Sequence, residues 1–276
     1  MRRHSLSGFR FIVPVLLALA ASLSGSSAQE VGRALRVLCY NIHYGQGNDG
    51  EYDLARLAEV IKATKPDLVG LQEVDVGVRR SGKAHQVLRL AELTGMAARY
   101  GPTQHYEGGL FGNAVLTRLH ILDVAIHPLP YTEATPEKTT YPRGAIAVTV
   151  RAPDGQPLRF ISTHFQHNVE EDRVAEAHAI NELFAKPGDT LRTILAGDLN
   201  AKPDAEPIRV LEERWINALD PVAAPTAPSH KPVSRIDYIL SRPEAAFRLV
   251  SSQVVPDDMA SDHQPVLAVF ELTGKK

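Results

Sequence analysis

The chain has 276 residues, 44% of them hydrophobic, with 30 basic against 32 acidic side chains and a formal net charge of −2. That length accommodates one large domain or two small ones, and the composition carries no mark of disorder or of a repeat array. A near-balanced chain lacks the surplus of Lys and Arg that binding to long nucleic acid rewards, and the lone Cys39 rules out an internal disulfide.

The first segment reads as a secretory leader. Arg2, Arg3 and Arg10 accompany the apolar run FIVPVLLALAASL, and SGSSAQE follows with small residues at Ser26 and Ala28. A charged start, a short apolar middle and a small-x-small end predict cleavage after Ala28 and a secreted or periplasmic product. The apolar run, about 13 residues, is short for a span of about 20, so a retained anchor is the weaker reading. Removing residues 1–28 takes away three arginines and no acid, which moves the net charge to −5. No later segment is apolar enough to span a bilayer, and a monomer is expected.

Ten strand-like runs follow in order: LRVLCYNI, PDLVGLQEV, NAVLTR, HILDVAIHPL, GAIAVTVRA, LRFISTHF, TLRTILAGD, RIDYILS, FRLVSSQVV and PVLAVFEL. Most are short, β-branched or Leu-rich, and bounded by Gly, Pro or Asp. Helical spacing interrupts them in DLARLAEVIKAT, where Leu54, Leu57, Ala58 and Ile61 share a face behind the N-cap candidate Asp53. It returns in HQVLRLAELTG, with Gly95 as stop, and in VEEDRVAEAHAINELFAK before Pro187, with a short fourth helix expected after Pro207. The turn PDGQ joins two strands as a hairpin, which implies antiparallel pairing. The expected fold is α+β: two packed, mostly antiparallel sheets with helices outside, a four-layer α/β/β/α sandwich. No linker or composition break divides residues 34–273, so one domain is expected. The Pro/Thr-rich stretches 128–143 and 220–234 are expected loops.

Polar groups gather at the ends of these runs. Asn41 and His43 close the first and Gln72 and Glu73 the second; Thr163 and His164, then Asp198 and Asn200, close two others. Asp237 interrupts RIDYIL, and Asp262 and His263 precede the last strand. One strand-terminal Asp or Asn is more often a turn former than a catalyst. Six apolar strands that each begin or end in such groups imply a shared site, because burying them separately costs several kcal/mol apiece. Glu73, Asp198, Asp262 and the amides of Asn41 and Asn200 are hard oxygen donors with no thiolate among them, a set that suits Mg²⁺, Mn²⁺ or Ca²⁺ better than structural zinc. His164 and His167 are spaced three apart but lack further His or Cys partners for zinc. Few ligands beside free imidazoles point to metal-assisted phosphoryl chemistry. Neither a GxxxxGK[ST] loop nor a G-x-S-x-G elbow is present.

The ordered set NIHYG, LQEVD, GNAVLTR, RGAI, STHF, GDLN, RIDYIL and SDHQPV resembles the endonuclease/exonuclease/phosphatase superfamily over roughly residues 35–271. The resemblance implies a two-sheet sandwich with outer helices. It also implies that Glu73 is the principal metal-binding carboxylate, with Asn41 beside it and Asp262 near the metal. His263 would contact the scissile phosphate or help activate water, oriented by Asp237. Asp198 and Asn200 would position the attacking water and steady the phosphoryl oxygens, with His164 as general acid or phosphate clamp. Asn113 and Arg143 would line the cleft, and His43 adjoins Asn41 as a further substrate-binding candidate. The function so implied is a secreted Mg²⁺-dependent phosphoesterase acting on a small or lipid-linked phosphodiester. A secreted nuclease is the alternative that the charge disfavours, and a non-catalytic binding module is the alternative of another class. Only Arg143, Lys138 and Lys231 stand out as cations for a polyphosphorylated substrate.

Overall fold

The computed structural model describes Met1 and residues 34–273; Met1 apart, the leader expected over residues 1–28 lies outside the described residues. Among the described residues, twelve strands form two six-stranded sheets. The first sheet contains β1 (Leu35–Asn41), β2 (Leu68–Val76), β3 (Ala97–Tyr106), β4 (Gly109–Thr117), β11 (Phe247–Val254) and β12 (Val266–Leu272), in the order β11-β12-β1-β2-β4-β3. The second contains β5 (His120–Pro128), β6 (Gly144–Arg151), β7 (Pro157–His164), β8 (Thr193–Asp198), β9 (Ile216–Asn217) and β10 (Asp237–Arg242), in the order β5-β6-β7-β8-β10-β9. Each sheet has a single parallel pair, β1 with β2 and β7 with β8; the remaining pairs are antiparallel. The helices are α1 (Leu54–Thr64), α2 (Gln86–Thr94), α3 (Glu170–Phe184) and α4 (Glu206–Glu212).

Period-two alternation builds the layers. On β1, Val37 and Cys39 enter the core between the sheets, while Leu38 and Tyr40 point the other way into a second core with Leu57 and Ile61 of α1 and Leu90 of α2. On β8, Ile194 and Ala196 face the inter-sheet core and Leu195 faces Ile180 and Phe184 of α3. Three apolar layers thus separate four layers of secondary structure, as expected. The sheets approach closely at Gly70, where a Cβ would lie 3.0 Å from the Ala196 Cβ.

Local signals act as read. Asp53 accepts the Arg56 N–H at 2.9 Å, a cap of about 1 kcal/mol, and Gly95 ends α2 in the left-handed region at φ 66°. The reading missed β3. AARYGPTQHY carries Gly101 and Pro102 inside it and reads as a turn, but an edge strand tolerates that interruption, and its pairing with β4 slips between Pro102 and Gln104. It also missed the brief edge strand β9.

Glu176, on α3, is fully buried; its Oε2 accepts the Gln166 N–H at 2.9 Å and its Oε1 has no hydrogen-bond partner. Burial, only partly opposed by that bond and by the charge of Arg143, pushes its carboxyl from 4.5 up to about 8. Between those values the folded chain holds a proton that the unfolded chain has lost, so this contribution to stability is complete below 4.5 and disappears as pH rises to about 8. Glu176→Gln is expected to flatten the decline of melting temperature between pH 5 and 8, removing at most about 1.4 kcal/mol per pH unit. Parallel melting profiles for the two proteins would contradict this.

Candidate functional site

Strand direction gathers the polar residues. Asn41 ends β1 opposite Gln72 of its parallel neighbour, and His164 ends β7 opposite Asp198 at the end of β8. The antiparallel β10 begins at that same edge, with Asp237 opposite Asp198, and β12 begins just after His263, with Val266 opposite Cys39. All six strands therefore deliver their polar ends to one rim of the sandwich.

Glu73 reaches the rim through a bulge. The β2–β4 register shifts between Leu71 and Val74, and Glu73 sits at φ 58°, a left-handed conformation that is unusual for a glutamate. The preceding Gln72 is tied beneath it to Ser162 Oγ at 3.0 Å, and that hydroxyl donates to Leu71 O at 3.0 Å. A second left-handed residue, Asn200 at φ 48°, turns the chain just beyond β8, where its N–H meets Asp198 Oδ1 at 3.0 Å.

Asn41 is the hub. Its Nδ2 donates to Glu73 Oε1 at 3.1 Å and to Asp198 Oδ2 at 3.0 Å, and its Oδ1 accepts the His43 N–H at 3.0 Å. In this arrangement Asn41 presents N–H groups, not oxygen, to the two carboxylates. Its own carbonyl accepts the Ser261 hydroxyl at 2.7 Å, which holds the segment carrying His263 against β1.

The two buried imidazoles differ in charge. Burial opposes the charged form of His263, but the carboxylates of Asp237 and Asp198, with the 2.9 Å contact between Nδ1 and Asp237 Oδ2, outweigh it and raise its pKa well above the usual histidine value. Burial likewise opposes charge on His164, and the neighbouring Arg143, His263 and His167 reinforce it, so its pKa falls well below the usual value. Asn200 Nδ2 lies 3.0 Å from His164 Nε2 and 3.0 Å from Phe165 O; donating to both, it leaves the ring proton on Nδ1, which is buried without a partner among the described residues. Asp198 is raised by burial and by Asp237, against the charge of His263 and the hydrogen bonds from Asn41 and Asn200.

A cleft of about 280 Å³ opens over this rim. Glu73, Arg143, His164, Asp198, Asn200 and His263 line it. Asp237 stands behind His263. Asp262 and His43 flank the rim: His43 Nε2 lies 3.8 Å from Asp262 Oδ2, and Asp262 Oδ1 lies 4.0 Å from His263 Nε2. Asn113 is buried below the cleft, where it and Thr163 donate to Gly144 O at 2.9 and 3.1 Å and so brace the chain next to Arg143. Lys138 and Lys231 are exposed in the loops and do not line the cleft.

The sequence reading overlooked one whole wall, made by Arg80, Gln104, Tyr106 and Phe111. It also left His167 unassigned; His167 lines the cleft stacked on Tyr141, ring centroids 5.8 Å apart and planes 15° apart. A usable signal was the VDVGVRRS segment, whose arginines follow Glu73 within seven residues.

Two groupings could hold a cation. Asp198, Asp237 and His263 offer ligand atoms within 4.8 Å of one another, but a charged His263 already bonded to Asp237 is a hydrogen-bonded relay and a poor ligand. Glu73 is the better fit, a cleft carboxylate with one bond from Asn41; Asp262, whose Oδ1 is buried without a partner, is the second hard oxygen donor at the rim. No thiolate competes: Cys39 is buried below, its pKa raised by burial and by the charges of Asp237 and Asp198.

Residues 38–263 match the model of the endonuclease/exonuclease/phosphatase family. Among solved structures, an endonuclease/exonuclease/phosphatase from Beutenbergia cavernae is 27% identical, with a TM-score of 0.70 over 88% of this chain and 72% of that one. A mannosyl-6-phosphatase from Bacteroides thetaiotaomicron is 21% identical, TM-score 0.70, over 86% and 99%. The human Nocturnin catalytic domain with bound sulfate is 19% identical, TM-score 0.65, over 87% and 95%. With the family match spanning both sheets and every polar strand end at the rim, the chain belongs to the endonuclease/exonuclease/phosphatase family, metal-dependent enzymes that hydrolyse phosphoric ester bonds.

Proposed function

We propose that this chain hydrolyses a phosphodiester of a small molecule or lipid headgroup by in-line attack of water, and that Mg²⁺ is its metal. The supporting observation is the Asn41 bridge between Glu73 and Asp198, flanked by one charged and one neutral imidazole. A cleft of about 280 Å³ suits a headgroup better than a nucleic-acid strand, and the acidic balance agrees. The similar Bacteroides protein is named for a sugar phosphate, and the Nocturnin domain holds a tetrahedral anion. Export through the leader of residues 1–28 belongs to the same reading.

Glu73 and Asp262 would hold the metal, which when bound neutralises phosphate charge and polarises the ester. Asp198, raised towards neutrality by burial, takes a proton from the attacking water. The amides of Asn41 and Asn200 keep that carboxylate aimed. His263, kept charged by Asp237, donates from Nε2 to a phosphoryl oxygen as negative charge grows, and is the group able to protonate a leaving oxygen. His164 stays neutral and lines the cleft as an uncharged wall, its Nε2 held by the Asn200 amide. Arg143, buried in the cleft wall, adds a fixed positive charge.

Asp198→Ala, His164→Ala and His263→Ala are each expected to lower turnover of bis-nitrophenyl phosphate by on the order of 10² or more, as loss of an acid–base group does. Wild-type turnover in all three, with the fold intact by circular dichroism, would remove the mechanism. The same assay separates an enzyme from a binding module, and plasmid DNA as substrate tests the nuclease reading.

Chelation is expected to abolish turnover and Mg²⁺ to restore it, with Glu73→Gln requiring at least tenfold more metal for half-activation, as the loss of one charged oxygen ligand should do. An unaltered requirement would move the metal away from Glu73. Asp237→Asn should lower the His263 titration midpoint, followed by imidazole NMR, because the mutation deletes the carboxylate charge that raises it. A midpoint that stays or rises would contradict that assignment.

A further inference from the structure

The wall that the sequence reading overlooked is built around Arg80. Its Nε and Nη2 donate to Asp75 Oδ2 and Oδ1, both at 3.0 Å, and Ser81 Oγ donates to the same Oδ2 at 2.9 Å. Asp75 is fully buried, so this fork fixes the plane of the guanidinium from behind. Its centre lies 3.7 Å from the ring centroid of Tyr44, 4.6 Å from that of Tyr106 and 5.3 Å from that of Phe111. Buried Gln86 locks the frame: it accepts the Asp75 N–H at 2.9 Å and donates to Tyr44 O at 2.6 Å.

Asp75 takes the side edge of the guanidinium, which leaves the end edge, one N–H each from Nη1 and Nη2. Nη1 has no hydrogen-bond partner among the described residues, and Arg80 lines the cleft. Two parallel N–H groups match the paired oxygens of an oxyanion better than a single hydroxyl. The aromatic collar excludes water and strengthens such a contact.

Arg80 is held by Asp75 and not by the carboxylates of the rim. Arg143 has Glu176, Glu73 and Asp198 as its electrostatic neighbours, whereas Arg80 has Asp75 and Glu73. Glu73 is thus an electrostatic neighbour of both arginines. Resting on the phosphoesterase reading above, we infer that Arg80 is a specificity residue that binds a second anionic group, a phosphate, carried by the substrate beyond the scissile ester.

Fructose 6-phosphate and fructose 1,6-bisphosphate, which resemble the product end of a phosphodiester, test this by calorimetric titration of the full chain with Mg²⁺. Wild type is expected to bind the bisphosphate at least tenfold more tightly, and Arg80→Gln to bring the ratio of the two affinities to about threefold or less, the loss of one charge-assisted contact. Arg80→Lys, which keeps charge but not the fork, should fall between them. If Arg80 only braces the wall, both affinities fall together and the ratio stays at its wild-type value, which overturns the inference. So does a wild-type ratio near one, or failure of both sugars to bind. An Arg80-dependent ratio without turnover of any ester would sink the phosphoesterase reading and leave Arg80 as the phosphate-binding residue of a non-catalytic site; turnover without the ratio would overturn the assignment of Arg80 alone.

Discussion

The site depends on one carboxamide. Asn41 stands at the end of a strand in the first sheet and donates to two carboxylates, Glu73 from its own sheet and Asp198 from the other. Two carboxylates brought this close repel, and at a buried rim water cannot screen them. A neutral donor between them reduces the repulsion without occupying either oxygen pair. It also pins the two sheets in register at the edge where chemistry needs them fixed.

That edge exists because of strand direction. A wholly antiparallel sandwich sends alternate strands to opposite ends, and its polar termini would be divided between two rims. One parallel pair in the middle of each sheet brings two strand ends to the same side, and the antiparallel neighbours β10 and β12 start there. The inter-sheet core below is apolar, from Val37 and Phe160 to Ile239 and Phe270. Polarity is thereby kept out of that core, and polar groups at the rim lower their burial cost by bonding to one another.

Much of this could be read from the chain because the signals are local. A strand that alternates and then meets Asn or Asp reports both its direction and its end, so GDLN and NIHYG pointed to the rim before any coordinates. Asp53 and Gly95 marked helix ends for equally local reasons. What escaped needed partners distant in sequence. β3 is a strand only because β4 pairs with it, and the bulge at Glu73 is a register mismatch with that same β4. Arg80 went unremarked because its partners Asp75, Tyr44 and Tyr106 come together around it only in the fold. Asn113 illustrates the converse: a motif position expected at the cleft is turned below it, holding the backbone beside Arg143.

The two cleft histidines show how the frame sets chemistry without changing residue type. Both are nearly excluded from water, which by itself would leave each neutral. Asp237 reverses that outcome for His263, and a buried carboxylate bonded to one ring nitrogen leaves the other pointed and charged. His164 has an amide in the corresponding place and a guanidinium nearby, so burial prevails. A growing negative charge in the cleft then meets a cationic donor on one side and an uncharged imidazole on the other. The difference between them comes from Asp237 at the head of β10, opposite Asp198, and from Asn200 two residues past the end of β8. Sheet topology, and not the imidazoles themselves, therefore decides which histidine can give up a proton.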